Sequence, residues 1–240
     1  MSAAAVRRYA FEASPCGGLW IEVAGAAALL RPSGALWLEA ERVLVVADLH
    51  LEKGSAYAAR GQMLPPYDTL ETLARLALEV EALAPKVVVL LGDALHDSEA
   101  STRLCDADAA RIEALGRGRE LVWVAGNHDP AGPGGLTGSA ADDWRTAGLS
   151  LVHEPSPAPA VGEVAGHLHP CARVKGRGGS VRRRCFVTDG ERLILPAFGA
   201  YAGGLNVRDE AFRPLFRHKP LAIALGRRAH PVGWAQLGGE

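Results

Sequence analysis

Two uninterrupted apolar runs of strand length mark the first half of the chain. Val43–Ala47 and Val87–Leu91 carry only apolar residues, which is the pattern of strands covered by helices on both faces. Between them, residues 67–84 repeat leucine, alanine and valine at helical spacing, and prolines flank this segment at both ends. The pattern predicts a β-α-β unit whose two strands lie centrally in a sheet.

The alternation of strand and helix repeats once and then gives way to shorter β-type runs. Residues 101–115 have a helical pattern, and residues 121–125 form a third apolar strand. No internal repeat and no long linker interrupts the sequence, so we expect one α/β domain spanning residues 1–240. The shorter predicted strands are Leu19–Val23, 27–31, 35–39, Leu149–Val152, 162–165, 184–188, 192–195 and Leu221–Leu225.

Composition and charge exclude several classes of protein. Of the 240 residues, 48% are hydrophobic and 22% charged, a balance that excludes disordered and fibrous chains. The formal net charge of -1 argues against a nucleic-acid binder that relies on overall basicity, so phosphate binding would have to be local. Neither a membrane span nor a signal peptide is expected, because no sufficiently long apolar segment occurs. The four cysteines form no CxxC pair, which favours reduced thiols and a cytoplasmic location.

Polar residues that a core would not hold follow each apolar strand of the first half. Asp48 and His50 follow the first strand, and Asp93 follows the second. Asn127 and His128 follow the third. Because the carboxyl ends of strands in open α/β sheets line the crevice where ligands bind, these loops should converge. The second half adds three histidines after its own predicted strands, namely His153, His167 and His169.

The types and spacing of these side chains favour a metal site. In Asp48-Leu49-His50 and His167-Leu168-His169, the outer side chains of an extended segment point the same way. Mixed oxygen and nitrogen donors suit Mn²⁺, Fe²⁺, Zn²⁺ or Co²⁺. The donors are more numerous than one ion uses, so we expect two divalent ions that share a carboxylate such as Asp93.

Each motif taken alone has an ordinary structural explanation. A single histidine is commonly hydrogen-bonded at a surface, and residues 126–129, Gly-Asn-His-Asp, could simply form a turn. The ordered series of motifs, most of them directly after a predicted strand, is what favours chemistry over structure.

The ordered series D-x-H, G-D, G-N-H-D, H and G-H-x-H resembles the signature of the calcineurin-like metallophosphoesterase superfamily over about residues 43–200. Longer segments are similar to a bacterial group within it, the PdeM group of ligase-associated DNA damage response phosphoesterases. The resemblance implies a metallophosphoesterase sandwich, in which two mixed β-sheets are flanked by helices in a single domain. The similar segments are ADLHLEKGSAYAARGQMLPPYDT, LGDALHD, AGNHDP, GEVAGHLHP, RRRCFVTDG and PAFGAYAGGLN.

The resemblance also implies a role for each motif residue. His128 would face the scissile phosphate without binding metal, and Asp129 would orient its ring. Asp97 follows His96 where many members carry a lone aspartate, so the role of Asp97 stays open. Mn²⁺ is the ion that the family favours, with Fe²⁺, Zn²⁺ and Co²⁺ as alternatives. The first metal would take Asp48, His50, Asp93 and His169, and the second would take Asp93, Asn127, His153 and His167.

Basic residues near the motifs are candidates for binding substrate phosphates. Lys53 and Arg60 come shortly after the first ligand pair. Residues 173–184 hold six basic residues and no acidic one, and such a run is commonly a solvated hairpin. Its position after the last metal motif nevertheless suits a polyanion, so nucleic-acid contact is left open. The candidates within it are Arg182, Arg183 and Arg184.

The leading hypothesis for function is a metal-dependent phosphodiesterase that cleaves DNA, as an endonuclease or an end-processing nuclease. The resemblance implies work beside an ATP-dependent DNA ligase, a helicase and a nuclease of one repair system. The alternative is a small-molecule phosphoesterase acting on a nucleotide, a nucleotide-sugar or a phosphomonoester, which the near-neutral charge favours. A scaffold that has lost its metals is disfavoured, because every ligand position of the motif series is filled.

Overall fold

Two mixed β-sheets pack face to face around a shared apolar core in the computed structural model, which describes residues 10–176 and 179–239. Val45 and Leu91 of the first sheet join Phe186 and Ile223 of the second in one cluster of buried side chains. The predicted α/β class with two mixed sheets flanked by helices is therefore confirmed. The expectations that concern residues 1–9, 177–178 and 240 lie outside the described residues.

Strands of the first sheet follow one another in chain order. They are β1 Glu12–Ala13, β2 Leu19–Val23, β3 Ala26–Leu30, β4 Leu36–Leu38, β5 Val43–Ala47, β6 Val87–Leu91, β7 Glu120–Val124 and β8 Ser139–Ala141. The first five strands pair antiparallel, and β5 to β8 pair parallel. The two apolar runs of the sequence are thus central strands, as predicted, and every residue of β5 is buried.

The second sheet runs in the order β16-β15-β13-β14-β11-β10-β9, and β12 pairs with β13. Its strands are β9 Trp144–Thr146, β10 Leu149–Val152, β11 Glu163–Ala165, β12 Cys171–Gly176, β13 Gly179–Thr188, β14 Leu193–Ile194, β15 Leu221–Leu225 and β16 Ala229–Val232. The strand predicted from residue 184 begins earlier, because residues 179–184 of β13 pair with β12 as a hairpin. Residues 185–188 continue into the sheet beside β15, and the last two of them also pair with β14.

Helices cover the outer face of the first sheet. The α-helices are α1 Lys53–Ala59, α2 Asp68–Leu83, α3 Ala100–Arg103 and α4 Asp106–Gly116, and two 3₁₀ helices span Glu210–Leu215 and Trp234–Gln236. Leu76 of α2 and Ile112 of α4 are buried in one cluster with Trp123 of β7. The helix predicted over residues 101–115 is broken, because Leu104 adopts an extended conformation between α3 and α4. Among the described residues, no helix has the length and apolarity needed to cross a membrane.

Parallel strands bring their carboxyl ends to one edge in each sheet. In the first sheet, Ala47 of β5 is aligned with Leu91 of β6, and β7 continues this register. In the second sheet, Val152 of β10 is aligned with Ala165 of β11. A parallel bridge between Ala47 and Ala197 connects the two sheets beside these ends. The carboxyl edges of the two sheets therefore meet.

A buried ion pair ties the proline-rich segment 154–160 to the second sheet. The Arg192 guanidinium is 1% exposed and lies 2.7 Å from the Glu163 carboxylate. It also donates to the carbonyl of Ala158 at 2.8 Å and to that of Leu215 at 2.7 Å. These partners satisfy a charge that burial would otherwise make unfavourable.

We expect Arg192→Met to lower the free energy of unfolding by about 3–5 kcal/mol, because the Glu163 carboxylate would stay buried without its cation. The matched control is Arg213→Met, since Arg213 pairs with Glu210 at 3.3 Å but its side chain is 74% exposed. An exposed pair contributes about 0–1 kcal/mol. Urea denaturation of both variants measures the difference, and equal losses would contradict this assignment.

Candidate functional site

Backbone hydrogen bonds hold the strand-end loops together at the shared edge. The N–H of Asp48 donates to the carbonyl of Gly92 at 3.2 Å, and the N–H of His50 donates to that of Asp93 at 2.9 Å. The second sheet is attached through a side chain, because the N–H of His167 donates to the Asp48 carboxylate at 3.0 Å. Loops from both sheets thus form one site.

One group of potential metal ligands consists of Asp48, His50 and His169. The Nε2 atoms of the two histidines lie 3.2 Å apart, and Nε2 of His169 lies 3.3 Å from Oδ1 of Asp48. Two neutral imidazoles that face each other can share at most one proton between these nitrogens. A cation held by the two nitrogens and the carboxylate fits this arrangement.

A second group consists of Asp93, His153 and His167. Nε2 of His153 lies 3.4 Å from Oδ1 of Asp93 and 3.2 Å from Nδ1 of His167. His153 is 5% exposed, and its other ring nitrogen lies 3.3 Å from the carbonyl of Leu91. That carbonyl can accept only from a protonated nitrogen, so the neutral ring would present Nε2 to a metal. Without a metal, burial lowers the pKa of His153, but the hydrogen bond with Asp93 and the charge of Asp48 raise it above its ordinary value, which favours the doubly protonated ring.

Asp93 lies between the two groups. Its Oδ1 faces His153, while its Oδ2 is 3.9 Å from Nε2 of His50. Burial raises the pKa of Asp93. The hydrogen bond with His153 and the backbone N–H of His128 lower the pKa by more than burial raises it, so the net pKa lies below the ordinary value. The carboxylate is therefore ionised at neutral pH and presents one oxygen to each group, as a bridging ligand would.

The ring of His50 is held in its neutral form. Burial lowers the pKa of His50, and the neighbouring His169 lowers it further, to about 3. A neutral imidazole is the form that binds metal. Neutral nitrogens together with ionised carboxylates suit divalent cations of intermediate hardness, so the donor set fits the ions expected from the sequence.

Many of the candidate ligands adopt a left-handed backbone conformation, which is uncommon for residues other than glycine. Such conformations cluster at functional sites, where the surrounding structure has to maintain them. The φ angles are 54° for Asp48, 45° for His50, 46° for Asp93, 68° for His167 and 46° for His169.

Asn127 and His128 lie on the exposed side of the site. Nδ1 of His128 lies 2.7 Å from the carbonyl of His96, so this nitrogen carries the proton that the carbonyl accepts. Nε2 of His128 then lies 4.0 Å from Oδ2 of Asp93, and the His128 side chain is 46% exposed. His128 therefore directs one ring nitrogen toward the ligand groups from a position that a substrate can reach.

Sequence reasoning missed His96. Its ring stacks on that of His128 with the centroids 5.3 Å apart, and it belongs to a third group of potential ligands with His50 and His128. Its position three residues after Asp93, in LGDALHD, is the signal that could have identified it. The neighbouring Asp97 makes two hydrogen bonds of 2.9 Å with Arg103, so it attaches α3 to this loop.

The carboxylate of Asp129 bonds to backbone N–H groups, whereas the sequence predicted that it would orient the His128 ring. This carboxylate accepts the backbone N–H of Asp93 at 3.1 Å and that of Leu95 at 3.0 Å. Burial and the nearby charge of Asp93 raise the pKa of Asp129, and the N–H of Leu95 opposes that rise. The carboxylate thus supports the loop that carries Asp93, while the His96 carbonyl holds the His128 ring.

The basic candidates have different surroundings. Nζ of Lys53 lies 5.9 Å from the centre of the Tyr57 ring, and Arg60 is exposed just after α1. Arg182 and Arg183 are exposed on the hairpin. Arg184 is half-buried and donates to the carbonyl of Ala197 at 2.6 Å and to that of Ser33 at 3.2 Å. Its guanidinium therefore joins β13 to two loops.

Comparison with known proteins matches the chain to a family model and to solved structures. The sequence model of the calcineurin-like phosphoesterase family matches residues 41–224. The crystal structure of the Pseudomonas putida nuclease MPE is similar to the chain, with a TM-score of 0.69 and 28% sequence identity. That similarity covers 90% of this chain and 100% of the nuclease chain. No curated protein matches significantly.

We expect His50 to destabilise the metal-free protein as the pH falls below about 6.5, the ordinary pKa of histidine. The folded His50 resists protonation because its pKa is about 3, whereas the unfolded His50 takes up a proton, so acid favours the unfolded state. A full proton corresponds to about 1.4 kcal/mol for each pH unit. Urea denaturation between neutral and acidic pH should give a shallower loss for His50→Gln, and an unchanged slope would contradict the assignment.

We expect Gly92→Ala to weaken metal binding by about 10- to 100-fold, the usual effect of disturbing a ligand's support. Gly92 has a φ of 70°, and a Cβ there would lie 2.2 Å from Nδ1 of His153, so the ring would have to move. Gly25→Ala is the matched control, because Gly25 has a φ of 86° and nothing within 4 Å of its Cβ position. Calorimetric titration with Mn²⁺ measures both, and equal weakening would contradict the role of this contact.

Proposed function

The chain belongs to the calcineurin-like phosphoesterase family and is a metal-dependent phosphoester hydrolase, and from this premise we propose that it cleaves phosphodiester bonds in DNA. The observation that carries the proposal is the position of Asp93 between two groups of imidazole and carboxylate ligands. Such a pair of groups suits a phosphate ester, whose non-bridging oxygens need cations on both sides.

The proposed centre holds two divalent metal ions that share Asp93. When bound, the ions supply Lewis acidity, which lowers the pKa of an attacking water and neutralises charge on the phosphate. The first ion would be held by Asp48, His50, Asp93 and His169, and the second by Asp93, Asn127, His153 and His167.

His128 is the proposed proton donor to the leaving oxygen. Because Nδ1 of His128 is bonded to the His96 carbonyl, Nε2 is the nitrogen that would take up a second proton and donate it to the leaving oxygen. Its exposure gives a substrate access, and a positioned acid of this kind typically contributes about 10²- to 10⁴-fold. Asp129 contributes indirectly, by holding the loop of Asp93.

We propose Mn²⁺ as the native ion, with Fe²⁺, Zn²⁺ and Co²⁺ as alternatives. The ligand groups of the described residues contain histidine and carboxylate donors but no cysteine, and such sets suit all four ions. The cysteines themselves are free, in agreement with the proposed cytoplasmic location, where thiols stay reduced.

Two observations support DNA as the substrate. A similar solved structure is that of a nuclease, and the hairpin of β12 and β13 carries basic residues close in sequence to His169. An ATP-dependent DNA ligase, a helicase and another nuclease are the proposed partners in repair. The second candidate function is hydrolysis of a small phosphoester, which the overall charge of -1 favours.

The test is hydrolysis by metal-stripped protein to which Mn²⁺ is restored. The substrates are bis(p-nitrophenyl) phosphate, a phosphomonoester, and labelled single-stranded, duplex and nicked DNA. We expect DNA cleavage that requires Mn²⁺ and is lost in Asp93→Asn together with metal binding. His128→Gln should retain metal and lose about 10²- to 10⁴-fold in rate.

The matched control is His230→Gln, because His230 is exposed on the edge strand β16. Its activity should equal that of the unaltered chain. Turnover of small esters with DNA left intact would favour the second candidate function. Full activity of His128→Gln would remove that residue from the mechanism without affecting the metal centre.

A further inference from the structure

The hairpin of β12 and β13 sorts most of its basic residues onto one face. Arg173 lies directly opposite Arg182, and Lys175 lies opposite Ser180. Residues directly opposite in an antiparallel pair share a face, and so do alternate residues of one strand. These four side chains are therefore on one face, whereas Arg183 is on the other.

The pairing of Arg173 with Arg182 is electrostatically unfavourable, because like charges directly opposite each other repel. The Nε–H of Arg173 donates to Ser180 Oγ at 2.9 Å, and the Arg182 guanidinium donates to the carbonyl of Gly204. Among the described residues, no carboxylate forms an ion pair with either arginine. A guanidinium has five N–H donors, so an anion between the two would relieve the repulsion and find donors.

The two arginines face a cleft of about 490 Å³. Arg173, Ser180 and Arg182 line this cleft together with Cys171 and residues 204–206. Asp209 also borders the cleft, but its carboxylate accepts the N–H of Ala211 at 2.9 Å and caps the following 3₁₀ helix. The cleft is large enough for a phosphate and its attached sugar, and its charged side chains are mainly cationic.

The part of the cleft that residues 204–206 form touches the segment that carries His169. The N–H of Cys171 donates to the carbonyl of Leu205 at 2.7 Å. The fit is close at Gly204, where a Cβ would lie 2.2 Å from the carbonyl oxygen of His169. The cleft is thus adjacent to the ligand groups but formed by different side chains.

We propose that this cleft is a subsite for a backbone phosphate of a DNA strand, one that neighbours the phosphate to be cleaved. Arg173 and Arg182 bind this phosphate as cations, and Ser180 is within reach as a hydroxyl donor. The inference rests on the proposed function, since it requires that the metal centre binds the scissile phosphate. The subsite would make the site specific for strands. A DNA strand fills both the metal centre and the cleft, whereas an ester with a single phosphate fills only the metal centre.

The test compares Arg173→Gln and Arg182→Gln with Arg117→Gln, which removes the same charge from an exposed position just after α4. All three side chains are exposed, so the variants should fold normally. Binding of a fluorescein-labelled single-stranded oligothymidylate to the full, metal-free chain is followed by fluorescence anisotropy at several salt concentrations. Hydrolysis of bis(p-nitrophenyl) phosphate with Mn²⁺ is measured in parallel.

We expect Arg173→Gln and Arg182→Gln each to weaken oligothymidylate binding about 10-fold and to reduce the slope of log K against log salt by about 0.7, the value for one phosphate contact on a single strand. Arg117→Gln should change neither, and its hydrolysis of the small diester should equal that of the unaltered chain. Equal weakening by Arg117→Gln would overturn the subsite in favour of diffuse attraction. No change in any variant would also overturn it.

Failure of the subsite differs from failure of the proposed function. If the unaltered chain hydrolyses neither DNA nor the small diester, the proposed function fails, and the anisotropy measurement still decides whether the arginines bind a strand. If it hydrolyses both and the arginine variants bind oligothymidylate normally, the subsite alone is wrong.

Discussion

Three buried carboxylates accept backbone N–H groups from loops other than their own, and the geometry of the centre depends on these bonds. Asp48 accepts from His167, Asp93 from His128, and Asp129 from Asp93. Each bond crosses between loops, and the first crosses between sheets. Hydrogen bonds to ionised groups are about twice as strong as neutral ones, and buried carboxylates without them would be unfavourable. Two of these side chains, Asp48 and Asp93, could therefore hold metal and also hold the scaffold of the site.

This arrangement explains how left-handed backbone persists at the ligands. Such a conformation in a residue other than glycine costs of order 1–3 kcal/mol where strain is real, although aspartate and histidine tolerate it better than most. The N–H groups of residues in these loops find fixed acceptors, as His50 does in the carbonyl of Asp93. The resulting backbone turns sharply after each strand and directs successive side chains into the site instead of into the core.

The sequence predicted the parts of the fold that depend on local pattern. The apolar runs of β5 and β6 have the composition that burial on both faces requires. The polar residues after them lie at the sheet edge because a core would not hold them. Helix α1 was missed because its alanines and glycine have no amphipathic period, although Gly54 and Ala56 are buried. The partners of Asp129 and His128 could not be predicted, because they depend on which loops meet in space. The same holds for Arg184, whose acceptors are the carbonyls of Ser33 and Ala197.

Strand β13 passes without interruption from the core into the hairpin, since Phe186 is fully buried while Arg182 is exposed four residues earlier. A continuous strand that is anchored at one end behaves as a stiff rod instead of a hinged flap. Under the proposed function, Arg182 on this strand would therefore be held in place before a strand of DNA binds. Binding to such a preorganised surface has a smaller entropic cost than binding that must first order a flexible loop. This matters for a chain with a net charge of -1, because its overall charge does not attract a polyanion.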